Sequence, residues 1–319
     1  MVKKIRQQWN EHNVAGQNRP SSSLILVGAP DDRGVSNVGG RLGAGNGPQA
    51  TRQMLGQFML GMHGELEKTP IYSGFDIELG ASIEEGHQNA RKAVAAELRS
   101  GTMPIFLGGG HDYGFAHLAG VADALQTEIA VINVDAHLDL RPPNALGITS
   151  GSPFFLAIEG GLLTGKNLVE FGIQEHCNDK ALYKYASDKK IAIHTLQAIR
   201  ESGNVADAFE KILTKFTKKK CPIVVSFDVD AVQAAHAPGV SAPQSDGFTP
   251  AEFFSMVAAA GRHRTVASIG FFEFAPALDR DQQTARLVAT AIHRFASEFS
   301  RRDELLTKQK NPVRRLLNR

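Results

Sequence analysis

Seven short runs rich in Val, Ile and Phe constrain the fold more than any other feature of the chain. They are Ser23 to Val27, Pro104 to Leu107, Ile129 to Val134, Leu168 to Gly172, Ile191 to His194, Pro222 to Phe227 and Val266 to Phe272. None alternates between apolar and polar residues, so each reads as a strand buried on both faces. Between them lie stretches with helical spacing: Ile83 to Leu98, Val205 to Phe216, Pro250 to Ala260 and Gln282 to Phe299. In the last, Leu287, Ala291 and Phe295 share one face. Strands alternating with helices predict an α/β fold of three αβα layers around a mostly parallel central sheet. Sheets of that kind carry their chemistry at the carboxyl ends of the strands.

No Pro/Ser-rich linker or internal repeat divides the 319 residues. Residues 1–319 therefore read as a single domain, with ends at 1–20 and 308–319 expected to fray. Lys plus Arg at 35 against Asp plus Glu at 33 leaves a net charge of +2, too even for a phosphate-backbone footprint, so no nucleic acid partner is expected. No segment reaches the ~18 to 20 apolar residues of a membrane span, and the start MVKKIRQQWNEHNV lacks an apolar stretch after its charges. Cys177 and Cys221 lie in unlike contexts and form no Cys-x-x-Cys. A reducing cytoplasm is the expectation, with one bridge left open.

Three predicted strands end in polar clusters that a packed core would not tolerate unpaired. Gly108-Gly109-Gly110-His111-Asp112 follows the second run, Asp135-Ala136-His137-Leu138-Asp139 the third, and Asp228-Val229-Asp230 the sixth. In extended backbone, alternate residues face one side, so Asp135, His137 and Asp139 should converge, as should Asp228 and Asp230. With His111 this aims four carboxylates and two imidazoles at one crevice, where their repulsion calls for cations. Six ligands are too many for one tetrahedral zinc and suit two ions sharing bridging carboxylates. An oxygen-rich set with two imidazoles and no thiolate favours Mn²⁺ over Zn²⁺ or copper, while availability leaves iron, cobalt or zinc open. Two such ions activate water for attack on an electrophilic carbon, so metal-assisted hydrolysis is the predicted reaction class.

Taken alone, each motif has a plainer explanation: a glycine turn is often only loop chemistry, and Asp-x-Asp after a strand can cap a helix. Three together, each ending a buried strand, are hard to explain as structural polar groups.

Gly-Gly-x-His at Gly108 to His111, Asp-Ala-His-x-Asp at Asp135 to Asp139 and Ser-Phe-Asp-Val-Asp at Ser226 to Asp230 resemble the signature of the ureohydrolase family of arginases, agmatinases and formimidoylglutamases. The resemblance extends from about Gly34 to Ala291 and implies the arginase-like fold, a ureohydrolase-like catalytic domain, and two Mn²⁺ per subunit. One ion would take His111, Asp135, Asp139 and Asp228, and the other Asp135, His137, Asp228 and Asp230. Asp139 would hold the attacking hydroxide and pass its proton to the leaving amine. Glu273, at the end of the last predicted strand, matches the family glutamate that hydrogen-bonds the guanidino or formimidoyl nitrogens; a buried partner for an arginine is the plainer role. Many members form rings of three or six subunits, so a homo-oligomer is expected.

Within the family, the loop Ser150-Gly151-Ser152-Pro153-Phe154 puts Ser150 where arginases and agmatinases have a histidine. It is similar to the Ser-Gly-Thr-Pro-Phe of the formimidoylglutamase branch. Gly39 to Ala44 leading to Gly47-Pro48, Ala237 to Pro243, Pro276 to Arg280 and Asp139-Leu140-Arg141 resemble the same branch. Arg141, two residues beyond a predicted ligand, is suited to clamping a substrate carboxylate, or is else a surface arginine braced by Pro142 and Pro143. The resemblance implies hydrolysis of the small molecule N-formimidoyl-L-glutamate to L-glutamate and formamide, a late step in histidine breakdown. A guanidino acid or agmatine cleaved with urea release is the alternative; a noncatalytic metal-binding homologue is another.

Overall fold

The structure is a computed structural model that describes residues 3–12, 23–61 and 64–302. Eight parallel strands form one sheet: β1 (Leu24–Gly28), β2 (Ile71–Asp76), β3 (Met103–Leu107), β4 (Ala130–Val134), β5 (Leu168–Ile173), β6 (Ala192–Thr195), β7 (Ile223–Asp228) and β8 (Val266–Phe272), in the order β2-β1-β3-β8-β7-β4-β5-β6. The expected doubly covered parallel sheet is present, and successive strand residues feed opposite cores. Leu24, Leu26, Ile105, Ile132, Val225 and Phe227 pack against the helices Val205–Lys218, Pro250–Arg262 and Gln283–Ser300. Ile25, Val27, Phe106, Val131 and Val224 pack on the other face, against Ile83–Arg99, Tyr113–Leu125, Pro153–Glu159 and Lys180–Lys189.

Local signals start the helices where the periodicity begins. The Ser82 hydroxyl accepts from Glu85 N–H ahead of Ile83–Arg99, and the Asn204 side chain accepts from the N–H groups of Ala206 and Asp207 ahead of Val205–Lys218. Thr249 and Glu252 form a reciprocal capping box around Pro250, whose fixed φ suits the first turn.

One strand has no counterpart among the seven predicted runs. β2 lies at the sheet edge, and its burial fades from Ile71 to the exposed Phe75 and Asp76, so Ile-Tyr-Ser-Gly-Phe-Asp carries no continuous apolar run. Of the N-terminal end expected to fray, Ile5–His12 is a helix. Its Ile5 and Trp9 are buried, and the Trp9 indole N–H donates to Ile71 O at 2.7 Å. Residues 1, 2, 13–20 and 308–319 of those ends lie outside the described residues. Among the described residues no helix is long and apolar enough to cross a membrane. Both cysteines are free, so the bridge left open by the sequence is not formed.

Strand order is what assembles the site. β3, β8, β7 and β4 are consecutive neighbours at the sheet centre, so the polar segments following them leave the sheet side by side at its carboxyl edge.

Candidate metal centre

The turn after β3 needs its glycines because other backbone passes too close for a side chain. A Cβ on Gly109 would lie 1.9 Å from the Asp31 carbonyl oxygen, and one on Gly108 would lie 2.2 Å from the Phe272 ring. The path is held by Gly108 N–H to Phe271 O at 2.8 Å, Gly110 N–H to Asp31 O at 2.9 Å and Glu273 N–H to Gly109 O at 2.9 Å. The last of these couples the end of β8 to the loop carrying His111.

His111 is fully buried, with its ring stacked on Phe272 at 4.6 Å between centroids. Its Nε2 lies 2.7 Å from the Ser226 hydroxyl, which turns Nδ1 toward the carboxylates. Nδ1 is 3.1 Å from Asp135 Oδ2 and 3.0 Å from both Asp139 Oδ2 and Asp228 Oδ2, yet none of the three is aligned with it as a hydrogen bond. These four residues form one group of potential ligands. Asp135, His137 and Asp230 form a second, in which His137 Nδ1 lies 3.0 Å from Asp230 Oδ2 and 3.5 Å from Asp135 Oδ1. Asp135 belongs to both groups. Asp228, which the resemblance assigns to both ions, falls only in the first group.

The six side chains converge, but not by the extended backbone expected from their spacing. β4 ends at Val134, residues 135–137 bend, and Asp139 takes the left-handed φ of 49°. Past β7, Val229–Ala231 is a 3₁₀ turn, and the Asp228 carboxylate accepts from Asp230 N–H at 2.8 Å. Asp135 Oδ1 likewise accepts from His137 N–H at 2.7 Å. Tight turns, rather than strand alternation, bring the acids together; Asp228 both caps its turn and faces the cluster.

Electrostatics strain the arrangement in the protein alone. Burial opposes charge on His111, but the surrounding Asp135, Asp139 and Asp228 hold its ring well above the ordinary histidine range. Burial is likewise outweighed at His137, raised by Asp230 and Asp135. Burial and the neighbouring acids Asp230 and Asp135 raise Asp228 well above the usual carboxylate range. Burial also pushes Asp230 up to about 6, against the pull of His137. His111 Nδ1 and Asp230 Oδ1 are buried without a hydrogen bond. Buried ligand atoms without hydrogen bonds among crowded carboxylates fit divalent cations, which take oxygen-rich and imidazole ligands and would balance the charge.

Glu273 closes the base of the site. Its φ of 65° is sterically costly for a side chain of this size, and its Oε1 accepts from His111 N–H at 2.8 Å. Burial pushes its carboxyl up to about 8. The plainer role, partner to a buried arginine, is not what the contacts show. The metal-ligand candidates His111, His137, Asp139, Asp228 and Asp230 open with Glu273 onto a cavity of about 280 Å³, whose lining also includes Arg41, Arg141, Ser150 and Ser241. The Arg141 guanidinium has no hydrogen-bond or ion-pair partner among the described residues. Ser150 is held by its N–H to Gly34 O at 3.0 Å.

Arg41 and Ser226 were not singled out from sequence. Arg41 donates from Nε to Ser241 O at 2.9 Å and from Nη2 to Val240 O at 2.6 Å, tying the two branch-like loops into one wall. The signal lay in those two loop segments, which the fold brings together across 200 residues.

The family model described as "Arginase family" matches residues 22–297. A Streptococcus gordonii formimidoylglutamase is 34% identical over 289 residues, covering 85% of this chain and 82% of its own. A Trypanosoma cruzi formiminoglutamase solved with a pair of Mn²⁺ ions superposes with a TM-score of 0.83 at 28% identity, covering 95% of this chain and 100% of that one. A Streptomyces clavuligerus proclavaminate amidino hydrolase gives a TM-score of 0.77 at 25% identity, covering 89% and 94%.

Proposed function

The chain belongs to the arginase family, and on that premise we propose that it hydrolyses N-formimidoyl-L-glutamate to L-glutamate and formamide with two Mn²⁺ per subunit. One observation carries the reading. The cavity that opens onto the two carboxylate–imidazole groups has an unpaired guanidinium, Arg141, in its lining, so it suits a substrate with an amidine at one end and a carboxylate at the other. The similarity to formimidoylglutamases supports the same substrate.

His111, Asp135, Asp139 and Asp228 would hold one ion, and Asp135, His137 and Asp230, joined by Asp228 as the family resemblance implies, the other. When bound, such ions balance the buried acids and lower the pKa of water. The residues divide the remaining work. Glu273 has Oε1 occupied by His111 N–H, which leaves Oε2 to accept a hydrogen bond from the formimidoyl nitrogen and set the carbon's position. Asp139 would take the proton from the attacking water and pass it to the leaving amine as the C–N bond breaks. Arg141 would pair with a substrate carboxylate, and Ser150 would donate to the same end of the molecule.

Residues 1–319 would act as one catalytic domain. The working state is a homo-oligomer in the cytoplasm, with no nucleic acid partner. A guanidino acid with urea release is the second reading, favoured by the similarity to proclavaminate amidino hydrolase. Agmatine is disfavoured because Arg141 would repel its amine.

The test is a product assay on Mn²⁺-loaded protein, with formimidoylglutamate, arginine, agmatine and guanidinobutyrate offered side by side. Formamide and glutamate from the first alone support the reading. Urea from a guanidino substrate overturns it in favour of the second, and two bound Mn²⁺ with no turnover favours a noncatalytic homologue.

A further inference from the structure

β5 is buried along its whole length, yet its third residue is a glutamate. Glu170 is 0% exposed, and every other residue of the strand is apolar or glycine. An apolar side chain would serve packing better, because a buried carboxyl loses its hydration. Burial holds this carboxyl well above the ordinary range. Its Oε2 accepts from Asn133 Nδ2 at 2.9 Å. Asn133 is its register partner on β4, and both side chains leave the sheet on the face of Val131 and Leu168.

The same Asn133 Nδ2 donates to Asp135 Oδ2 at 3.2 Å. Asp135 is the carboxylate common to the two ligand groups. Its other oxygen is set by His137 N–H, within its own turn. One carboxylate oxygen is thus oriented locally, and the other by a carboxamide anchored on the next strand. A carboxamide can face either way with little change in shape, so something must choose its orientation. Glu170 Oε2 makes that choice by accepting one of the two N–H bonds, which leaves the other for Asp135.

We propose that Glu170 is a positioning residue of the metal centre, holding the Asn133 carboxamide so that it orients Asp135 to be shared between two ions. The inference rests on the reading that the two groups hold metal. Partners that orient ligating carboxylates typically contribute about 10- to 100-fold to metal affinity.

The experiment is Mn²⁺ binding to the purified full chain by equilibrium dialysis with metal analysis, with the spin-coupled Mn²⁺ pair read by EPR. Glu170→Leu should bind at least one of the two ions about 10- to 100-fold more weakly and lose the coupled signal. Glu170→Gln, whose amide oxygen can still accept from Asn133, should stay within about threefold of the parent. A folded Glu170→Leu with unchanged affinity overturns the proposal, as does a Glu170→Gln that loses as much as the leucine variant. If Glu170→Leu does not fold, Asn133→Val, β-branched and suited to a strand, tests the same chain of bonds. It should show the same loss, and unchanged affinity overturns the proposal. A parent protein that binds no Mn²⁺ overturns the metal reading itself.

Discussion

The Ser226 hydroxyl sits 2.7 Å from His111 Nε2, on the far side of the ring from three carboxylate oxygens. A hydroxyl accepting the Nε2 proton leaves Nδ1 as the ring's lone-pair nitrogen, the tautomer a metal ligand needs. Ser226→Ala should lower Mn²⁺ affinity by about 10- to 100-fold and leave the fold intact. Metal titration with circular dichroism checks this; unaltered affinity would mean that stacking on Phe272 orients the ring unaided.

Asp228→Asn and Asp135→Asn each remove one negative charge where the acids are most crowded. Either should cut kcat/KM by at least about 100-fold, the upper end of what an outer partner costs. Near-normal turnover of either variant at saturating Mn²⁺ would contradict the dinuclear site.

Arg141 lines the same cavity as the metal-ligand candidates. Arg141→Ala should raise KM about 10- to 100-fold for a carboxylate-bearing substrate with kcat little changed, since a charge-assisted bond is made equally in ground and transition states. Steady-state kinetics with formimidoylglutamate decide, and an unchanged KM removes Arg141 from binding.

Metal uptake should release protons. In the protein alone His111 and His137 are held above the histidine range, and Asp228 and Asp230 above the carboxylate range, so ions compete with protons for these groups. Lower pH favours the protonated cluster, so apparent Mn²⁺ affinity should rise with pH, by about tenfold per unit for each proton displaced. Indicator-dye titration at pH 6, 7 and 8 measures both quantities. A flat profile without proton release would show that other groups bind the ion.

Gly109 has no room for a methyl group, because its neighbour is the backbone of Asp31. Gly109→Ala should destabilise the protein by about 1 to 3 kcal/mol, the usual cost of overpacking, and weaken Mn²⁺ binding by displacing His111. Thermal and urea unfolding measure the first and metal titration the second. Native stability would show that the Asp31 turn yields freely.

β1, β3, β4, β5, β7 and β8 were legible because strands buried on both faces are written mostly in Val, Ile, Leu and Phe; β6 was legible from Ile191 to His194 although, at the other sheet edge, its residues are only half-buried rather than buried on both faces. β2 escaped notice because an edge strand that ends in solvent needs no such run. The ligand candidates were legible from type and spacing, but they converge through turns rather than through strand alternation. Asp139 reaches the cluster through a left-handed residue and Asp230 through a 3₁₀ turn. Glu170 was hidden for another reason: in a run read as apolar, one carboxyl has no visible partner until β4 lies beside β5.

The sequence by itself, with Glu273 supplied by the family resemblance, determined the layered α/β architecture and the six ligand candidates. These are local properties, set by the burial pattern of each strand and by the side chains at its end. The tertiary structure alone decided which ends meet. β3 and β4 are separated by β8 and β7, which come more than 90 residues later in the chain, and only their insertion brings His111, Asp228 and Glu273 beside Asp135. The pairing of Arg41 with Val240 and Ser241, and of Glu170 with Asn133, has the same origin. Contacts between distant segments depend on strand order and register, quantities that no window of residues contains.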